Sequence, residues 1–178
     1  MKKTGFIAIV GKPNVGKSTL LNTMLGEKIA IVSDKPQTTR NRVTGILTKD
    51  DTQYVFMDTP GMHNPKNTLG EFMVKAADST MRDADAVILV IDTGKEITAV
   101  EENVIAYLKK SGIPAVLALN KIDMYDREQI AETLAKYAEK HDFSAFVPIS
   151  ARSGKNVAEL LSECDKFLSE SEWFFPED

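Results

Sequence analysis

Eight residues close to the amino terminus, Gly11–Ser18, have the spacing G-x-x-x-x-G-K-S and follow a short apolar run. Glycines at the two fixed positions let a loop curl so that successive backbone N–H groups point at one anion, and a following helix adds positive potential there. Lys17 is expected to reach the β- and γ-phosphates of a nucleotide, and the Ser18 hydroxyl to bind Mg²⁺. The alternative is an ordinary turn between a strand and a helix. The residues expected to line this phosphate site are Gly11, Lys12, Pro13, Asn14, Val15, Gly16, Lys17, Ser18 and Thr19.

A second motif, Asp58-Thr59-Pro60-Gly61, stands at the end of another run with strand character. The pattern D-x-x-G alone is a weak signal, because most chains of this size contain one by chance. Its place at a strand end gives it meaning. Asp58 can hold a water bound to Mg²⁺, and the Gly61 N–H can donate to a γ-phosphate with no Cβ in the way.

A third motif, Asn120-Lys121-Ile122-Asp123, follows the apolar run Ala115–Leu119. A carboxylate accepts from two adjacent donors, so Asp123 suits the N1–H and 2-amino group of guanine, which adenine lacks. Asn120 is expected either to tie neighbouring loops or to meet the base edge, and the Lys121 stem to lie over the purine. After a later apolar run, Ser150-Ala151 would offer the Ala151 N–H to guanine O6. Together these residues predict selectivity for guanine.

Apolar runs of strand type alternate with segments of helical period, a pattern typical of a parallel sheet covered on both faces. Strands are predicted at 6–10, 86–91, 115–119 and 145–149, with a hairpin of 43–49 and 53–57 around Asp50-Asp51 and a short apolar run at 29–32. Helices are predicted at about 16–25 (ended by Gly26), 99–110, 127–140 and, from a loop at 58–68, up to about Arg82. A last helix carries the apolar stripe Val157, Leu160, Leu161, Cys164, Phe167 and Leu168.

The 178 residues suit one domain with a short remainder, and 43% hydrophobic with 27% charged residues excludes disordered and collagen-like classes. No apolar run reaches the length of a membrane span, and the amino terminus lacks signal-peptide features. One cysteine allows no internal disulfide, and Cys164 is expected to be a core thiol; with two histidines it forms no zinc pattern. A cytoplasmic protein is predicted.

The net charge of −4 argues against a strong nucleic-acid surface within this chain, because phosphate neutralisation supplies most of the affinity for nucleic acids. No DNA partner is expected. The carboxyl-terminal residues are strongly acidic, and one polar stretch at 33–42 is basic.

In order and spacing, these motifs resemble the G domain of translation-factor-type GTPases. The forms G-K-P-N-V-G-K-S and K-P-Q-T-T-R place the resemblance in the bacterial Era/MnmE-like group, and the stretches 29–40 and 174–178 are similar to its Era branch. The resemblance covers essentially the whole chain. It implies a three-layer P-loop GTPase fold: a mostly parallel six-stranded sheet with one antiparallel edge strand and helices on both faces. It also implies a G domain over 1–170, and over 171–178 the start of a linker to an RNA-binding domain of KH type.

The resemblance further implies GTP hydrolysis by a slow enzyme that acts in 30S ribosome assembly, with small-subunit ribosomal RNA bound through the KH-type domain. Segments 33–42 and 58–68 would be switches I and II, ordered by the γ-phosphate. Thr39, with Thr38 as the alternative, would join Ser18 and Asp58 at Mg²⁺. The residues expected to act in catalysis are Lys17, Thr39, Gly61 and Asn14.

One departure from Ras-like GTPases concerns the attacking water. Those proteins place a glutamine directly after D-x-x-G, whereas this chain has Met62, whose thioether cannot polarise water. His63 is a weaker candidate for orienting the water. Arg40 or Arg42 could act as an arginine finger in cis, although contact with an effector or RNA is the commoner use of such arginines. In MnmE-like proteins the asparagine that matches Asn14 helps to hold K⁺ against the phosphates, which would place positive charge where it develops in the transition state.

Three other functions stay open. One is a nucleotide-gated binding module whose hydrolysis is vestigial, as Met62 would allow, and another is a tRNA-modification GTPase domain. The third, a P-loop kinase, is disfavoured by the N-K-I-D motif. The tail Trp173-Phe174-Phe175 predicts a linker that packs on a further domain, with peripheral contact at the inner face of the cell membrane as the alternative.

Overall fold

Strands and helices alternate along the chain in the computed structural model, which describes residues 2–12, 15–25, 43–58 and 81–170, with backbone alone at 43, 44 and 58. The strands are β1 (Lys3–Val10), β2 (Val43–Lys49), β3 (Thr52–Asp58), β4 (Ala86–Asp92), β5 (Ala115–Asn120), β6 (Ala145–Pro148) and β7 (Ser169–Glu170). The helices are α1 (Lys17–Leu25), α2 (Ala99–Ser111), α3 (Arg127–Lys140) and α4 (Val157–Asp165), with a 3-10 turn at Ile122–Met124.

The described strands form one seven-stranded sheet, in which six lie in the order β2-β3-β1-β4-β5-β6. The strands β3, β1, β4, β5 and β6 run parallel to one another, whereas β2 is an antiparallel edge strand paired with β3. Asp50, at the turn between β2 and β3, has a positive φ of 55°, a conformation that aspartate tolerates better than most residues. The predicted fold class is confirmed, including the single antiparallel edge strand among the six.

A seventh strand, β7, was not predicted from the sequence. Its two residues pair antiparallel with the start of β1, as Lys3↔Glu170 and Thr4↔Ser169. The pairing is possible because β4 runs beside β1 only from Ile7 onward. Two residues are too few to show a period of two, so no sequence pattern could have indicated this strand.

Two hydrophobic clusters lie on opposite faces of the sheet, because successive side chains of a strand point to opposite sides. Phe6, Ala8 and Val10 of β1 face α2 and α3, whereas Ile7 and Ile9 face α1 and α4. Each helix contributes its apolar stripe to one cluster; that of α4 is Val157, Leu160, Leu161 and Cys164. The strands therefore read as continuous apolar runs, as expected of a sheet covered on both sides.

Cys164 is a core residue, as predicted: its side chain is fully buried and it is a free thiol. Burial, together with the neighbouring Glu163 and Asp165 carboxylates, raises the pKa of the thiol to about 12. The thiolate is the reactive form of cysteine, so this side chain is chemically inert in the folded chain.

Element boundaries differ from the sequence predictions by a few residues. Helix α3 has the predicted bounds, whereas α4 ends at Asp165, and Phe167 and Leu168 continue the apolar stripe in a turn, with the Phe167 N–H donating to the Cys164 carbonyl. Strand β1 begins at Lys3 because β3 pairs with it from there. The predicted run at 29–32, the cap Gly26, the loop at 59–68 and the helix that follows it as far as residue 80 lie outside the described residues. The end of that helix is described, and Met81 and Arg82 are helical, in agreement with the predicted end near Arg82.

No helix in the described ranges is long and apolar enough to cross a membrane. The tail at 173–175, for which peripheral membrane contact was the alternative, lies outside those ranges.

Candidate functional site

Two glycines of the loop after β1 lie where a side chain would not fit. A Cβ on Gly11 would lie 2.8 Å from the Val90 carbonyl oxygen, and a Cβ on Gly16 would collide with the Asn120 side-chain amide. Gly16 also has a φ of 96°, a region that side chains disfavour. Helix α1 begins at the next residue, so its amino end faces the loop. Pro13 and Asn14 lie outside the described residues.

The side chains that begin α1 divide into a buried cation and exposed hydroxyls. Lys17 is only 4% exposed, whereas Ser18 and Thr19 are accessible in the first turn. The Lys12 ammonium lies 3.7 Å from a Glu101 carboxylate oxygen on α2. The side chain of Lys12 is thus engaged elsewhere, and its backbone is the part available to a phosphate.

Asn120, at the end of β5, ties two loops together, which is one of the two roles expected for it. Its side-chain amide donates to the Val15 carbonyl at 2.7 Å, and its amide oxygen accepts from the Ala151 N–H at 2.9 Å. The side chain is 3% exposed. At the backbone, the Asn120 carbonyl accepts from both the N–H and the hydroxyl of Thr93, at 3.1 and 2.7 Å.

The Ala151 N–H, for which contact with guanine O6 was predicted, has a protein partner in the structure. That N–H donates to Asn120, because the tie between the loops brings the amide oxygen within 2.9 Å of it. To contact a base, the Ala151 N–H would have to donate to the base as well as to Asn120, or to give up its bond to Asn120. The Ala151 carbonyl accepts from the Thr23 hydroxyl of α1 at 2.6 Å.

Lys121 lies beside an acidic side chain that was not predicted from the sequence. Its ammonium is 2.9 Å from an Asp92 carboxylate oxygen, at the end of β4. The Tyr125 hydroxyl is 3.4 Å from the other oxygen of Asp92. Partial burial, then the Asp92 charge, raises the pKa of Tyr125. With its ammonium held, the Lys121 stem forms part of a pocket wall.

An open pocket of about 350 Å³ joins the phosphate loop, the N-K-I-D motif and the loop that contains Ala151. The 3-10 turn places Asp123, which is exposed, at this pocket. The lining residues are Gly16, Thr19, Asn120, Lys121, Asp123, Met124, Ala151 and Arg152. Ser150 is buried behind it, and its hydroxyl accepts from the Ser153 N–H at 3.2 Å. Residues from the first, third and last motifs therefore share one cavity.

The remaining predicted residues are only partly placed. The Asp58 backbone pairs with Ile9 at the same edge of the sheet, two residues before Gly11. The other residues of the second motif and of the two predicted switches lie outside the described part of the chain, among them Thr38, Thr39, Arg40, Arg42, Thr59, Pro60, Gly61, Met62 and His63.

Sequence reasoning missed Asp92, Thr93, Thr23 and Arg152. Asp92 is the last residue of β4 and Thr93 follows it, just as Asp58 ends β3 and Asn120 ends β5. The carboxyl ends of parallel strands meet at one edge of a sheet. That rule would have indicated them. Thr23 lies inside a helix and Arg152 in a loop, where no spacing marks them.

The sequence of this chain is similar to the sequences of one known protein family. A protein-family model described as 50S ribosome-binding GTPase matches residues 6–121. GTPase Era of Clostridium kluyveri is 48% identical over all 178 residues, and GTPase Era of Clostridium perfringens is 45% identical. The chain spans 60–61% of the length of these relatives.

Two solved structures are similar over nearly the whole chain. Era in complex with MgGDPNP and nucleotides 1506–1542 of 16S ribosomal RNA has a TM-score of 0.82 and 39% identity, and covers 100% of this chain and 61% of its own. A variant of Aquifex aeolicus Era bound to GDP·AlF4⁻ has a TM-score of 0.80 and 40% identity, covering 99% and 60%. Because the family model spans more than half of the chain, and Gly16 of the phosphate loop meets Asn120 and Lys121 of that span at one pocket, the chain belongs to the 50S ribosome-binding GTPase family.

Proposed function

We propose that this chain binds GTP and hydrolyses it to GDP and phosphate with Mg²⁺. The observation that carries the proposal is the shared pocket. Gly16, in the phosphate loop, and Thr19, in the first turn of α1, line the same cavity as Asp123, which can read guanine. A nucleotide with its base against Asp123 would have its phosphates at the amino end of α1.

The base is read, in this proposal, by the Asp123 carboxylate at the N1–H and 2-amino group. The Lys121 stem covers one purine face, with its ammonium held by Asp92. Asn120 acts through the loops it ties rather than through the base, because both ends of its amide already have protein partners.

The residues that would hold Mg²⁺ form a suitable donor set. Ser18 supplies an accessible hydroxyl in the first turn of α1, and Asp58 ends β3 on the neighbouring strand of the sheet. Hydroxyl and carboxylate oxygens are the ligands that Mg²⁺ prefers, and Thr39 would add a third. When bound, the ion neutralises charge on the β- and γ-phosphates.

In this proposal, hydrolysis depends on backbone N–H groups and on positive charge, and no glutamine side chain polarises the attacking water. Lys17 would neutralise charge that develops on the phosphates, and the Gly61 N–H and Thr39 would orient the γ-phosphate and water. Met62 stands where Ras-like proteins have glutamine, so slow intrinsic turnover is expected.

The direct test measures phosphate release from GTP and from ATP, each with and without a small hydroxyl acceptor. We expect phosphate release from GTP alone, dependent on Mg²⁺ and unaffected by the acceptor. Transfer to the acceptor would indicate a kinase. Tight GTP binding without release would leave the nucleotide-gated binding module as the function.

Asn14 carries a finer proposal, that K⁺ assists the reaction. A monovalent cation beside the phosphates would supply positive charge in the transition state. It would thereby assist a site in which Met62 cannot polarise the attacking water. We expect faster hydrolysis in KCl than in NaCl at equal ionic strength, and loss of the difference in Asn14→Ala. Equal rates in the two salts for the unaltered chain, at saturating GTP and Mg²⁺, would contradict it.

For the full-length protein we propose a role in 30S ribosome assembly, supported by the likeness to Era and by the Era structure that contains 16S ribosomal RNA. The RNA contact would lie outside these 178 residues, whose net charge is −4. An electrophoretic shift of that RNA segment by this chain alone would contradict this.

The domain division at residue 170, a cytoplasmic location and peripheral membrane contact are further parts of the proposal.

A tRNA-modification GTPase is the second candidate, because the phosphate loop also resembles the MnmE-like proteins. The likeness to Era over the whole chain favours the ribosomal role.

A further inference from the structure

Thr23 connects the helix behind the phosphate loop to the last loop of the pocket. It lies on α1, six residues after Lys17, and its hydroxyl donates to the Ala151 carbonyl at 2.6 Å. The side chain is half-buried, so water competes less for this hydrogen bond than it would at the surface. The two residues are 128 positions apart in the chain.

Ala151 is thereby held on both sides. Its N–H donates to Asn120, and its carbonyl accepts from Thr23. The loop that contains it is also bonded to itself: the Gly154 N–H donates to the Ser150 carbonyl at 2.8 Å, and the Ser150 N–H to the Lys155 carbonyl at 3.1 Å. A compact loop of this kind moves as a unit, so an anchor at one residue positions the whole of it.

The anchor lies close to the pocket. Ala151 lines the cavity beside Asn120 and Asp123, whereas Thr23 lies behind it on α1. A methyl carbon of Thr23 would be 3.8 Å from a Cβ built on Gly154, so the Thr23 side chain also lies near this part of the loop. Thr23 therefore acts on the pocket only through Ala151 and its loop.

We propose that Thr23 is a positioning residue for reading the 6-oxo group of guanine. Its hydroxyl holds Ala151 so that the Ala151 N–H, now donated to Asn120, can be shared with guanine O6 at little cost in loop movement. Asp123, on the 3-10 turn, reads the other edge of the base and is independent of Thr23. This inference rests on the proposed binding of guanine nucleotides.

Removing the Thr23 hydroxyl should weaken the contact between the Ala151 N–H and guanine O6. It should leave the contact between Asp123 and the base unchanged. In Thr23→Val, which keeps the shape of the side chain, we expect GDP affinity to fall about three- to tenfold, the loss typical of one hydrogen bond. Thr23→Ser retains the donor and should restore most of the affinity.

The deciding measurement compares GDP with two analogues by calorimetric titration. In 6-thio-GDP, sulfur, a weak acceptor, replaces O6, and IDP lacks the 2-amino group that Asp123 reads. We expect Thr23→Val to reduce the preference for GDP over 6-thio-GDP about threefold, and to leave the preference for GDP over IDP unchanged. A general loosening of the pocket would lower all three affinities together and change neither ratio.

Thr4→Val is the matched control, because the Thr4 hydroxyl also donates to a buried carbonyl, that of Gln53, at 2.9 Å, but at the opposite end of the sheet. It should lower thermal stability without altering either preference. An unchanged preference for GDP over 6-thio-GDP in Thr23→Val would overturn the inference, while GDP binding by the unaltered chain would still support the proposed function. If the unaltered chain does not bind GDP, the proposed function itself fails.

Discussion

Nucleotide affinity is expected to fall at least about tenfold when Lys17 is replaced by alanine. The lysine starts α1 next to the phosphate loop and is 4% exposed, so its ammonium acts where water screens it poorly. Losing even one weak charge-assisted hydrogen bond to a phosphate costs ~1.4 kcal/mol, which is a factor of ten in affinity. Calorimetric titration of GDP into Lys17→Ala measures the loss.

The control for this variant is Lys49→Ala, which removes an exposed lysine at the end of β2. Both variants change the net charge equally, so a general electrostatic effect would appear in both. Circular dichroism and the thermal midpoint establish that Lys17→Ala remains folded. Unchanged GDP affinity in a folded Lys17→Ala protein would remove the phosphate-loop assignment.

Base preference is expected to change from guanine to xanthine in Asp123→Asn. Xanthine has a carbonyl where guanine has its 2-amino group, so an amide that donates suits xanthine and a carboxylate does not. Asp123 is exposed at the pocket, and the substitution should therefore leave the fold intact. We expect GDP affinity to fall at least about tenfold and the ratio of XDP to GDP affinity to rise at least about a hundredfold.

Asp126→Asn provides a matched carboxylate-to-amide control three residues further along. Asp126 begins α3 and accepts from the Gln129 N–H at 2.9 Å, a role that asparagine fills equally well. This variant should keep the preference for GDP. If Asp123→Asn loses GDP without gaining XDP, Asp123 supports the turn rather than reading the base.

The phosphate loop and the N-K-I-D turn could be predicted without a structure because each is local. The glycines at 11 and 16 determine how a short loop can bend, and the lysine and serine that follow stand at the start of a helix by necessity of the motif. The parallel sheet could also be predicted, because strands that are buried on both faces are continuous apolar runs in which apolar and polar residues do not alternate. Helix α3 even has its predicted bounds, because the capping box at Asp126 and Gln129 marks its start.

The partners of these local motifs were decided by tertiary structure alone. Asn120 bonds across 105 residues to Val15, and Thr23 across 128 residues to Ala151. Likewise, Asp92 holds Lys121 because β4 and β5 pair in a register that places Asp92 beside Asn120. Composition and spacing describe which groups a chain carries, whereas the packing of distant strands determines which of them meet. That is why the sequence by itself determined the type of site, and only the fold decided what Ala151 and Asn120 bind.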